Sequence, residues 1–224
     1  MDYSKILKKI PDEKLRTYVA NRIKRIEDYG FTVELIDKEN ITDGKNSYGG
    51  LFIEDLGLLQ CAVGKSWIRW VAVFIHETCH FDQFIEKCQV WQEINSCYKG
   101  IDAQTIFFRW VDNKVKYPDS VVFKAMVAVR NSELDCERRV AKEIINNKLD
   151  KIIDVKTLNK QANAYIYFHN VIYITRKWYH KDVKPYRVKA LWNIMPDHFN
   201  NDYDQLPIEY YKRCMKYCYK KKKK

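Results

Sequence analysis

The chain has 224 residues, 46% of them hydrophobic, enough to bury one sizeable core, and the expectation is a single domain over residues 1–219. Lys and Arg outnumber Asp and Glu by 40 to 29, a formal charge of +11, part of it in the run Lys220 to Lys224, which reads as a disordered basic tail. The longest apolar run, Trp70 to Ile75, is far short of the roughly 18–20 residues that span a bilayer, and Met1-Asp2-Tyr3-Ser4-Lys5 has no apolar targeting core, so a soluble cytoplasmic protein without a membrane partner is expected.

From about Tyr3 to Tyr29, Ile6, Ile10, Leu15, Val19, Ile23 and Ile26 recur at helical spacing and predict one amphipathic helix ended by Gly30. Three short strands follow. They are Phe31 to Ile36, then Leu51-Phe52-Ile53 after the breaker pair Gly49-Gly50, then Leu58 to Val63 between Gly57 and Gly64. Ser66 to about Glu93 reads as a helix, apolar all round at Trp70–Ile75 and so buried. A second long helix is predicted from about Ser120 to Asn147 and an aromatic-rich third from about Val155 to Trp178. Pro185, Pro196 and Pro207 punctuate a region of shorter helices beyond it. The fold class is α+β, mainly helical: a small N-terminal sheet precedes the helix of interest, and the C-terminal region is helical.

Seven cysteines without a paired framework or a C-x-x-C read as free thiols; Cys214 and Cys218, one turn apart, are a weak metal or redox element at most. The abundance of Lys, Asn, Ile and Tyr matches an AT-rich genome, such as that of a bacteriophage.

The sharpest signal is His76-Glu77-Thr78-Cys79-His80. Histidines four apart on a helix project from one face and can hold one ion, and Glu77 beside them can serve as base for its water. Zinc suits two neutral imidazoles and brings the pKa of a bound water towards about 7. Two histidines and a glutamate inside an otherwise apolar helix also need a reason to be there, and a metal supplies one. Asp82, two residues after His80, departs from the hydrophobic residue common there.

A third ligand is expected from the second long helix. Glu133 and Glu137 fall on its apolar stripe of Val122, Met126, Val129, Val140 and Ile144, a costly place for carboxylates that bind nothing. Glu133 is the predicted ligand and Glu137 the partner of a histidine N–H, while Asp135 is rotated away. An ion pair with Arg138 or Arg139 is the alternative use of these glutamates.

With these residues the chain resembles the gluzincin metallopeptidases, in which an H-E-x-x-H helix is followed by a helix bearing a glutamate ligand. Their second motif is a Glu with an Asp four residues later, and Glu133-Leu134-Asp135-Cys136-Glu137 is similar to it with Glu in the Asp place. The likeness covers about Leu58 to Ile145 and is closest to the Glu-x-x-Ala-Asp pattern of integral-membrane peptidases, whose membrane helices are not expected here, and to soluble, phage-associated peptidases of the same type. It implies a zincin-like domain, a zinc-dependent peptidase acting on a protein or peptide, and Leu58 to Val63 as the edge strand along which an extended substrate adds. An ordinary core or edge strand is the other reading of that segment.

In the implied reaction Glu77 takes a proton from the attacking water and returns it to the leaving amine. Tyr165, His169 and Tyr173 share one face of the third helix, and His169 and Tyr173 are candidate donors to the oxyanion, ahead of His180 and His198; core packing is the plainer reading of such a stripe. Three alternatives stay open. The basic surface and tail could give weak nucleic-acid association, with the zinc site cleaving DNA-bound proteins or serving structure; the chain could be a zinc-bearing interaction protein without turnover; or it could hydrolyse a non-peptide amide.

Overall fold

The computed structural model describes residues 3–42, 47–180 and 183–219, so the basic tail 220–224 lies outside the described residues. The fold is α+β and mainly helical. The chain divides into two compact units, Met1–Lys87 with Lys142–Ile153, and Cys88–Ala141 with Asp154–Lys224. Among the described residues no helix is long and apolar enough to cross a membrane.

In the first unit the predicted single opening helix is two: α1 (Ser4–Leu7) and α2 (Glu13–Asp28). Pro11 lacks the N–H a continuing helix needs and turns Ile10 away from helical geometry. Asp12 then caps α2, its Oδ1 accepting from Leu15 N at 2.8 Å. Leu15, Val19, Ile23 and Ile26 form the buried face of α2. Gly30, at φ +93°, ends it, and Phe31 N–H reaches back to the Ile26 carbonyl at 3.2 Å.

Next come β1 (Thr32–Ile36), the two-residue strands β2 (Ile41–Thr42) and β3 (Ser47–Tyr48), β4 (Gly50–Ile53) and β5 (Leu58–Ala62). β2 and β3 pair with each other, while the three-stranded sheet has the order β1-β5-β4. β4 and β5 are antiparallel through the turn at Gly57, which sits at φ +57°; β5 pairs parallel with β1 on its other side, Leu59 opposite Val33. The Leu58–Val63 segment is therefore the central strand and not the edge strand the resemblance implies. Both its ladders are filled, and β4 is the edge next in sequence to it.

From Ser66 the chain enters α3 (Trp67–Glu86). The predicted continuation to Glu93 stops at Lys87, which turns left-handed at φ +46°. Trp70, Val71, Phe74, Ile75 and Phe81 of α3 are fully buried.

The second unit contains α4 (Gln89–Asn95), α5 (Ala103–Val111), most of α6 (Asp119–Asn146), α7 (Val155–Thr175), α8 (Lys189–Trp192) and α9 (Ile208–Tyr217). The two long helices start within a residue of prediction; α7 ends early because Arg176 is left-handed at φ +50°. α5, not anticipated, is capped by Asp102 accepting from Thr105 N at 2.7 Å. Its Ile106 and Phe107 join Val122, Met126, Ala164, Phe168 and Tyr210 in one core. All seven cysteines are free, and Cys214 and Cys218 are fully buried.

Candidate metal centre

In the first unit, α3 brings His76 and His80 together. Their Nε2 atoms are 3.1 Å apart, and the half-buried rings meet edge to face with centroids 4.7 Å apart. Two nitrogens bound tetrahedrally at about 2.0–2.1 Å from one zinc would lie roughly 3.3 Å from each other, so this spacing fits one ion with little movement. His80 Nδ1 is 2.8 Å from Gln83 Oε1. An amide oxygen only accepts, so Nδ1 carries the hydrogen and neutral His80 presents its Nε2 lone pair to His76. For His80, then, Gln83 on the same helix fills the N–H partner role expected of Glu137.

Glu77 is buried, 8% exposed, and lies against β4. A Cβ at Gly50 would stand 2.6 Å from Glu77 Cγ and 2.8 Å from both its Oε1 and Val73 Cγ1, so a side chain at this point would push Glu77 and Val73 aside. Burial first, and then the Glu77 charge, push the Cys61 thiol far up, leaving it a neutral neighbour that donates to the Trp70 carbonyl.

Asp82 departs from the usual pattern because it faces a charge. Its Oδ2 meets Arg22 Nη2 at 2.6 Å and its Oδ1 meets Arg25 at 3.0 Å. The same Arg22 nitrogen donates to the Thr78 carbonyl, inside the motif, at 2.9 Å. Burial alone would lower the Arg22 pKa; the Asp82 carboxylate outweighs it and the guanidinium is held raised. Arg22 sits on the buried face of α2 among Val19, Ile23 and Ile26, the one signal that could have marked it from sequence.

In the second unit, α6 and α7 bring Glu133 together with His169 and Tyr165. Glu133 Oε2 is buried. Burial lowers the His169 pKa and the Glu133 charge pulls it back. The Tyr165 hydroxyl is raised well above its ordinary value by burial first, then by Glu133, with Glu137 contributing. His169 Nδ1 is 3.2 Å from the Tyr165 carbonyl, so Nδ1 holds the hydrogen and Nε2 donates only when the ring is charged, which burial opposes. Tyr165, kept protonated, is the readier donor of that pair. Tyr173 instead stacks on Trp110 at 5.7 Å and meets Phe123 edge-on at 5.7 Å.

Asp135 points elsewhere, pairing with Arg139 at 2.6 Å, and Arg138 donates to the Asn200 carbonyl at 2.8 Å. Cys136, wholly buried three residues after Glu133, offers a thiol ligand that reasoning from the carboxylates passed over. The backbone N–H of His180 donates to the Cys218 carbonyl at 3.0 Å, and His198 is 75% exposed beside Asp197.

No family model matches the chain, and no curated protein or solved structure matches it. The likeness to gluzincins therefore rests on the two short motifs and their order.

Proposed function

We propose that the chain is a zinc-dependent metallopeptidase in which His76 and His80 are two of the metal ligands and Glu77 is the general base. The observation that carries this reading is the pair of imidazole Nε2 atoms 3.1 Å apart, one of them fixed by Gln83 as a lone-pair donor, on the helix that bears buried Glu77. When bound, zinc lowers the pKa of a water and polarises the substrate carbonyl. Glu77 accepts the proton of the attacking water and hands it to the leaving amine. Glu133 is the proposed third ligand, with Glu137 as a supporting carboxylate and Cys136 as the competing donor on the same helix. From α7, Tyr165 is proposed as the donor to the developing oxyanion, with His169 and Tyr173 behind it.

The test combines zinc content with hydrolysis of an unfolded protein substrate. The native protein is expected to hold zinc, and His76→Ala to lose it. Glu77→Gln should keep the metal and lose at least about 100-fold in rate. Loss of zinc from Glu133→Ala but not from Cys136→Ser supports the carboxylate, and the reverse assigns the thiolate. Native protein without zinc, or Glu77→Gln at native rate, overturns the proposal.

A further inference from the structure

The second unit carries a groove of about 190 Å³ that shares only Tyr173, the last-ranked oxyanion donor, with the proposed metal chemistry. Its walls are Phe123, Met126, Tyr173, Ile174 and Leu206, and Arg130 and Asp204 lie among them. Phe123 and Ile174 are 47% and 57% exposed, so two large apolar side chains stand open to solvent at this place. A cavity of roughly 150 Å³ lined by apolar side chains holds a benzene ring, so this one takes a side chain of leucine or phenylalanine size.

The polar end of the groove is set by Arg130, which is only 4% exposed. A guanidinium has five N–H groups. Nη1 donates to Asn170 Oδ1 and to the Tyr203 carbonyl, both at 3.0 Å. Nη2 donates to Asp204 Oδ1 at 2.5 Å, and Nε is buried with no hydrogen-bond partner among the described residues. The Nε–Nη2 edge is the one that a carboxylate grips with two parallel hydrogen bonds, and here a single oxygen uses half of it. That oxygen belongs to a side chain that is 66% exposed, so Asp204 can move into water when an incoming carboxylate takes over its contact with the guanidinium.

We infer that this groove binds the carboxy-terminal residue of a peptide whose last side chain is apolar. The side chain fills the space between Phe123, Tyr173 and Ile174. The terminal carboxylate takes the Nε–Nη2 edge of Arg130 and displaces Asp204, which closes that edge in the free protein. A buried arginine that ends an apolar groove and is half-used by an exposed acid selects an apolar ligand bearing one negative charge; a neutral ligand gains nothing over Asp204 and a cation is repelled. The carboxylate is held by Arg130 and not by a metal.

The test titrates N-acetyl-phenylalanine and N-acetyl-phenylalaninamide into the full-length protein, read at the Ile174 and Met126 methyl resonances. The acid is expected to saturate at about millimolar concentration, and the amide to bind at least about 10-fold more weakly. Asp204→Asn keeps an oxygen for Nη2 but removes the competing charge, and should tighten the acid about 5-fold or more while leaving the amide unchanged. Ile174→Ser, at a solvent-exposed wall, should weaken both ligands. Equal affinity for acid and amide overturns the inference, as does absence of saturation by about 50 mM acid or weaker acid binding in Asp204→Asn. The acid–amide comparison on the native protein decides the matter even where the Asp204 variant folds poorly, and zinc content has no bearing on it.

Discussion

Removing the carboxylate of Asp82 is the most demanding test of how the motif helix is held. In Asp82→Ala the Arg22 guanidinium, whose side chain is 8% exposed, keeps its charge and loses the oxygen 2.6 Å away. Its Nε already lacks a partner, so only the Thr78 carbonyl remains to it among its described contacts. Breaking a buried pair in this way costs about 3–5 kcal/mol, because an uncompensated charge stays behind. Arg25 adds little to the loss, its side chain being 49% exposed. At about 2–4 °C per kcal/mol for a chain of this size, melting should drop by roughly 6–20 °C in a thermal scan followed by circular dichroism. Hydrogen exchange should speed up in α3 amides. The double replacement Arg22→Met with Asp82→Leu removes both charges and should restore stability to within about 1 kcal/mol of native. A loss below about 1 kcal/mol in Asp82→Ala, or a double variant no better than the single, refutes the assignment of this pair as the tie between α2 and α3.

Gly50→Ala places a Cβ 2.6 Å from Glu77 Cγ and, on the proposed function, should cut hydrolysis by about 10-fold or more while zinc content is unchanged, since the proposed general base and not the proposed ligands is displaced. Gln83→Ala frees His80 Nδ1 and should weaken zinc binding about 10- to 100-fold in a chelator competition. Asp154 caps α7, and the Thr157 hydroxyl and N–H hold its carboxyl below the usual range. A lowered folded-state pKa stabilises above the unfolded value and is lost as pH falls through the folded one. Urea denaturation should therefore show Asp154→Ala about 1 kcal/mol less stable than native at pH 7, with the gap closing in acid below the ordinary carboxylate range.

What the sequence yielded depended on how local each cause was. α6 was legible to within a residue because Val122, Met126, Val129, Val140 and Ile144 repeat on one face, and His76, Glu77 and His80 were legible because their spacing is a property of a single helix. The break between α1 and α2 was present in Pro11 and Asp12, but the apolar period from Ile6 to Leu15 runs across it and hid it. α5 is only nine residues long, and its cap at Asp102 was the available sign. The place of β5 at the sheet centre was not readable, because it is decided by pairing with β1 and not by anything in Leu58–Ala62. Arg22 and Gln83 owe their roles to partners that folding supplies: a carboxylate and a carbonyl on another helix for the first, an imidazole rotamer for the second.

The buried polar groups of the first unit differ in what balances them. Arg22 Nη2 donates to both Asp82 and the Thr78 carbonyl, so a cation and an anion answer one another there. His76 and His80 turn two ring nitrogens toward each other, Gln83 has taken the hydrogen from the far side of one, and the residue between them in the motif is a buried carboxylate. The Glu77 carboxylate and the imidazole lone pair beside it are eased by a cation, so a second carboxylate, as proposed for Glu133, would need a metal to balance it. A hydrogen on His76 Nε2 answers the His80 lone pair in the metal-free protein and must leave that nitrogen before zinc binds there, so proton and zinc compete for the same place. Zinc uptake at pH 6 should accordingly release a proton to the buffer and be weaker than at pH 8, as isothermal titration in buffers of different ionisation enthalpy measures. Uptake without proton release, at an affinity indifferent to pH across the histidine range, would mean the ion sits elsewhere in the protein.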